Sequence, residues 1–277
     1  MAIRRGSRVA SAWLLSLALV VAVGVFGVPA RYTPSVSIIL TAAQLLLMGG
    51  AASCLAIPAW RTGEERRRAA VVSGLLLILP WALLTLMPGY GPPFASSLAM
   101  NHERFVILFA STATLGAGLW TIKDSLARGE TCDRLLAPLG QISALMAVCI
   151  QLVWAAMMIG WTMSEAHRPS VYLPLYGTPL GNASDVLLFF AGLMTYVATG
   201  FYALSFARQG WIRRNVARVI VIVVVAAITG LLARGLQYPD LPDHWYAMPG
   251  MIVGIPAIPW TLTYVLGVFA LLRAARP

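Results

Sequence analysis

The stretch "SSLAMNHERFVILF", residues 96–109, sets His102, Glu103 and Arg104 side by side at the edge of an apolar run. A carboxylate partly withdrawn from water has its pKa raised and takes up and releases protons near neutral pH. A neighbouring imidazole titrates in that range already. A guanidinium adds fixed donors for an oxygen ligand. Such a trio suits chemistry in which hydroxyl protons leave as electrons leave, and oxidation of a quinol at a membrane boundary is of that kind. The structural alternative is a solvated charge cluster at a helix start, where Glu103 would be favoured by the helix dipole alone.

The elements that must hold these groups are apolar. The chain is 59% hydrophobic and 11% charged, with a mean hydropathy of +0.79, outside the range of soluble domains. Apolar stretches near the roughly 20 residues needed to cross a bilayer lie at about 9–29, 36–59, 69–88, 105–122, 135–163, 184–207, 216–235 and 248–272. Backbone groups in lipid must be satisfied within each segment. The expected fold is therefore all-α, a single polytopic transmembrane bundle of about eight helices over residues 1–277.

The net charge of +10 is not a nucleic-acid footprint. If every span crosses, all the basic residues except Arg31, Arg104, Arg168 and Arg234 fall on one side of the bilayer. That is the positive-inside pattern, and it places both termini in the cytoplasm. The first segment also reads as a secretory signal, with "RRGSR" before an apolar core and "GVPA" ending at Ala30. Removing it would leave the other spans oriented as before.

The outer connections are the richer ones. His102, His167 and His244 all lie there, with Glu103, Glu165, Asp240 and Asp243, while Asp185 stands just inside the sixth span. Arg234 lies about a turn before the outer end of the seventh span, followed by Tyr238. Arg104, Arg234, Tyr238 and Asp185 are thus candidate contacts for a polar ligand, beside Glu103 and His102 as proton acceptors. The aromatic residues of these loops also fit an interfacial belt, and Arg234 also fits a snorkelling arginine.

No span contains a histidine, so a b-type haem held between helices is not expected. Cys54, Cys132 and Cys149 lack metal-site spacing, and no metal is expected. Gln44, Gln141 and Gln151 read as interhelical hydrogen-bonding groups. Ala110, Thr114 and Gly118 on the fourth span, and "GGAAS" at 49–53 on the second, read as close-packing faces. Pro256 and Pro259 predict a bend in the last span.

Four stretches together resemble the membrane-anchor subunit of dimethyl-sulfoxide-reductase-type complexes. They are "ILTAAQLLLMGGAASCLAI", "NHERFVILFASTATLGAGLW", "YLPLYGTPLGNASDVLLFFAGL" and "ITGLLARGLQY". The family is a haem-free helical quinol dehydrogenase that passes electrons to an iron–sulfur subunit and then a molybdenum subunit. The resemblance puts Glu103 where the family carries a glutamate implicated in quinol binding. It implies menaquinol or another quinol as the electron donor, a bacterial or archaeal cytoplasmic membrane, and anaerobic respiration. The chain differs in its extra first span and in reading Met87, Pro88 and Gly89 where the family often has a histidine. Two other classes fit the composition: an integral-membrane enzyme acting on a lipid or isoprenoid, and a small-molecule transporter.

Overall fold

The computed structural model describes residues 2–22, 34–62, 64–87, 97–127, 133–167, 179–237 and 257–276. Eight helices account for almost all of them: α1 (Ala2–Val21), α2 (Pro34–Thr62), α3 (Glu65–Leu84), α4 (Leu98–Ala127), α5 (Leu136–His167), α6 (Pro179–Arg208), α7 (Arg214–Gln237) and α8 (Ala257–Ala274). Strands are absent among the described residues. Six helices, α2 to α7, are long and apolar enough to cross a membrane, while α1 and α8 contain shorter apolar segments. The chain is a helical membrane bundle, and each apolar run of the sequence has its helix.

Two compact units divide it. One comprises residues up to Ser125 together with Tyr264–Pro277; the other runs from Leu126 to Thr263. In the first, polar groups stitch helices that are otherwise apolar. Gln44 on α2 donates through Nε2 to the Ala18 carbonyl on α1. The Tyr264 hydroxyl of α8 donates to the Leu15 carbonyl at 2.9 Å, and Thr41 of α2 donates to the Thr85 carbonyl beyond α3 at 3.0 Å.

Helices α3 and α8 of this unit approach each other closely. A methyl group on Gly74 would lie 2.9 Å from the Gly267 carbonyl oxygen, and one on Gly267 would lie 2.8 Å from the Leu77 Cβ. Two glycines facing each other let the backbones touch, so dispersion contacts replace the missing side chains. Gly118 of α4 approaches Leu77 similarly, as its small-residue face predicts. The expectation for "GGAAS" is corrected in part. Ala51 and Ala52 are buried, but methyl groups on Gly49 and Gly50 would meet nothing within 4 Å. Those glycines face outward.

In the second unit α5, α6 and α7 run antiparallel. Gly140 of α5 lies against the Tyr202 ring of α6, and Gly200 of α6 against Val224 of α7. The α6–α7 turn is a Schellman motif. Gly210 takes φ 68°, a left-handed conformation that costs other residues about 1–2 kcal/mol. The Trp211 amide bonds the Phe206 carbonyl at 2.8 Å and the Gly210 amide bonds that of Ala207 at 3.2 Å. The Phe206 and Trp211 rings pack 4.8 Å apart and close the motif.

In each unit the basic helix ends gather together. In the first, Arg8 near the start of α1 donates to the Ala275 carbonyl past α8 at 2.9 Å, and Arg66 at the start of α3 donates to Ser125 near the end of α4 at 3.2 Å. In the second, Gln209 after α6 donates to the Leu126 carbonyl, and Arg208 lies 3.9 Å from Asp133.

Candidate functional site

Helix α4 begins earlier than the apolar run alone implies. Ser97 supplies the reason: its hydroxyl accepts the Met100 amide at 3.3 Å, and its carbonyl accepts the Asn101 amide at 3.0 Å. A serine in this position satisfies orphan donors of the first turn. His102, Glu103 and Arg104 therefore lie in the second turn of a formed helix, not ahead of it. Ser97 is a start signal legible in "SSLAMN", although the hydropathy boundary hides it.

Helical rotation then separates the three neighbours by about 100° each. Asn101, Arg104 and Phe105 share the buried face, with Asn101 at 1%, Arg104 at 5% and Phe105 at 4% exposure. Glu103 is exposed and continues an outward face with Val106, Phe109, Ala113, Ala117 and Trp120. His102 is half-buried between the two. The expectation of a carboxylate withdrawn into the interior is thus corrected: Glu103 is exposed, and the guanidinium of Arg104 is the interior group of the trio. An arginine buried in a membrane helix is costly to place and marks a candidate site by default.

Of the other sequence-predicted residues, Asp185 sits half-buried in the first turns of α6, in the second unit. The backbone of Arg234 belongs to α7 of the same unit, but its side chain, and Tyr238 altogether, lie outside the described residues. The same holds for His244, Asp240 and Asp243, for Cys132, and for the side chains of Glu165 and His167. Within the described residues, then, His102, Glu103 and Arg104 form one contiguous cluster on α4.

Polar groups that the sequence reading did not single out lie beside Asp185. The Trp154 indole N–H of α5 donates to the Ser184 hydroxyl of α6 at 2.8 Å, and that hydroxyl lies 3.5 Å from the Met158 sulfur. Gln151, one turn from Trp154 on α5, is buried, and its Nε2 has no hydrogen-bond partner. Its expected interhelical bond is not formed, unlike that of Gln44. Pairing of a tryptophan with a serine across two helices has no spacing signature, which is why only the packed structure reveals it.

No group of three or more histidine, cysteine or acidic side chains placed to hold a metal ion occurs among the described residues. Cys54 and Cys149 are exposed free thiols. Comparison of the chain with protein-family models, with curated proteins and with solved structures finds no match. Sequence and structure together show an integral membrane protein built as a helical bundle, with eight helices among the described residues.

Proposed function

We propose that the chain is the membrane anchor and quinol-oxidising subunit of an anaerobic-respiratory oxidoreductase, with its basic helix ends in the cytoplasm. The observation that carries the reading is the second turn of α4, where three consecutive residues present a carboxylate outward, an imidazole at the rim and a guanidinium inward. A quinol is lipid-soluble and its head group arrives from the bilayer at interfacial depth. Glu103, on the outward apolar face of α4, stands where such a head group would first meet the protein. Oxidation of the quinol releases two protons and two electrons. Glu103 accepts the two hydroxyl protons in turn, His102 passes each toward solvent before the next is taken, and Arg104 donates hydrogen bonds to a quinone oxygen from the buried side. The electrons leave for a peripheral iron–sulfur subunit and from it for a molybdenum subunit. The four sequence stretches similar to the anchor family support the same reading.

The test is Glu103→Gln, which keeps shape and removes proton acceptance. Oxidation of a quinol analogue by membranes containing the variant is expected to fall by about 10²-fold, the low end of general-base contributions. Expression should persist, since an exposed amide and an exposed carboxylate fold alike. His102→Ala should have a smaller effect. Wild-type turnover in Glu103→Gln at equal expression would leave the cluster as a solvated helix face and remove the proposal.

A further inference from the structure

The basic end of the first unit is more than a scatter of loop charges. Helices α3 and α8 touch through Gly74 and Gly267 and run antiparallel, since Gly74 meets Leu271 while Gly267 meets Leu77. Continuing that register toward the start of α3 carries Arg66 and Arg67 alongside the end of α8, where Arg273 stands in the last turn and Arg276 follows just past it. From Gly74 to Arg66 is about 12 Å at the helical rise, a similar span to that from Gly267 to Ala274, where α8 ends. Arg66, Arg67 and Arg276 indeed lie close enough for their charges to act on Arg273. Arg8 joins the same end through its bond to the Ala275 carbonyl.

Helix dipoles account for only part of this cluster. Arg273 and Arg276 at the end of α8 are favoured by its dipole, but Arg66 and Arg67 stand in the first turn of α3, where the dipole is positive and prefers anions. Arg66 also bonds the Ser125 carbonyl, so α4 helps hold it in place. The carboxylates adjoining in sequence, Glu64 and Glu65, are both exposed. At the same end, Trp60 is exposed, with the Arg68 guanidinium 5.7 Å from its ring centroid. A tryptophan at that level of a membrane helix is an interfacial side chain.

We infer that the α3–α8 end of the first unit, through Arg67, Arg273 and Arg276, binds the headgroup phosphate of an anionic phospholipid. Arginine presents paired N–H donors matched to phosphate oxygens. Arg8 and Arg66 hold the surrounding helix ends together through their carbonyl bonds, so the binding residues sit on a fixed frame. The occupant is a lipid and not a soluble anion, because the cluster lies where apolar helices end and an interfacial tryptophan adjoins it. This site is independent of the α4 cluster and of any reaction assigned to it.

The test uses the full chain in neutral detergent micelles, titrated with brominated phosphatidylglycerol or brominated phosphatidylcholine. Quenching of Trp60 is read as the difference from Trp60→Phe. Phosphatidylglycerol should reach half-saturation at a concentration at least about tenfold lower, since each arginine near an anionic surface is worth about fivefold. Arg67→Gln, Arg273→Gln and Arg276→Gln combined should abolish the preference. The single exposed change Arg276→Gln should weaken it about fivefold even if the combined variant misfolds. Arg213→Gln, Arg214→Gln and Arg218→Gln combined, which remove equal charge from the second unit, should leave it intact. Equal loss in that control would reduce the site to diffuse surface charge and overturn the inference. So would equal affinity for the two lipids, or displacement of phosphatidylglycerol by an equal concentration of inorganic phosphate.

Discussion

Asp133, just ahead of α5, offers a stability test whose size follows from its contacts. Its Oδ1 accepts the Leu136 amide at 2.9 Å and the Leu135 amide at 3.2 Å, so its side chain caps two donors at the entry to the helix. The residue is 7% exposed, and Arg208 lies 3.9 Å away with its own side chain 60% exposed. Asp133→Ala removes this cap and strands the buried Leu136 amide, a loss at the upper end of the roughly 0.5–2 kcal/mol that caps contribute. The expected loss is about 2 kcal/mol. Asp133→Asn keeps an acceptor oxygen and loses only the charge. With so exposed a partner, that charge should contribute less than about 1 kcal/mol.

The pH dependence separates the two contributions. Burial, the strongest single influence, pushes the Asp133 carboxyl upward. The Leu136 amide, the nearby Ser205 hydroxyl, the Leu135 amide and the Arg208 charge together outweigh it, and the carboxyl rests below its ordinary value. A carboxyl lowered by folding adds stability that is fully present above its unfolded pKa, about 3.9. The increment is lost as pH falls through the lower, folded value. Wild type should therefore lose this increment on acidification, and Asp133→Asn should lack it. Reversible unfolding in mixed detergent micelles, followed by circular dichroism at neutral and acidic pH, reads both effects. Equal damage from the Asn and Ala changes would refute the cap argument, as would an Ala variant within about 0.5 kcal/mol of wild type.

Gly267→Ala places a methyl group against the Leu77 Cβ and the Gly74 carbonyl oxygen, neither of which can swing aside. The same unfolding titration should show a loss of about 1–3 kcal/mol, whereas Gly49→Ala, which faces open space, should cost nothing. Ser184→Ala takes the acceptor from the buried Trp154 indole N–H. The expected cost is about 0.6 kcal/mol, the average for hydrogen bonds between membrane helices, and a shifted tryptophan emission maximum should accompany it.

Hydropathy and charge by themselves determined that this chain is a helical membrane bundle with its basic residues concentrated at alternate ends of the apolar runs. A long apolar segment in lipid has no other way to satisfy its amides, so the apolar runs at 36–59 and 184–207 had to become α2 and α6. The chemistry-bearing trio at 102–104 was equally legible, because residue types in succession need no tertiary information. Tertiary packing alone decided which way those residues turn. It placed Glu103 outward and Arg104 inward, chose Gly74 and Gly267 over Gly49 and Gly50 as the close contact, and paired Trp154 with Ser184. The physical reason is that lipid and protein interior are equally apolar. Leu46, 77% exposed, and Leu77, fully buried, satisfy the same hydropathy rule, so a membrane helix carries little sequence record of its buried face. Only the fit of neighbouring helices, one methyl group at a time, selects it.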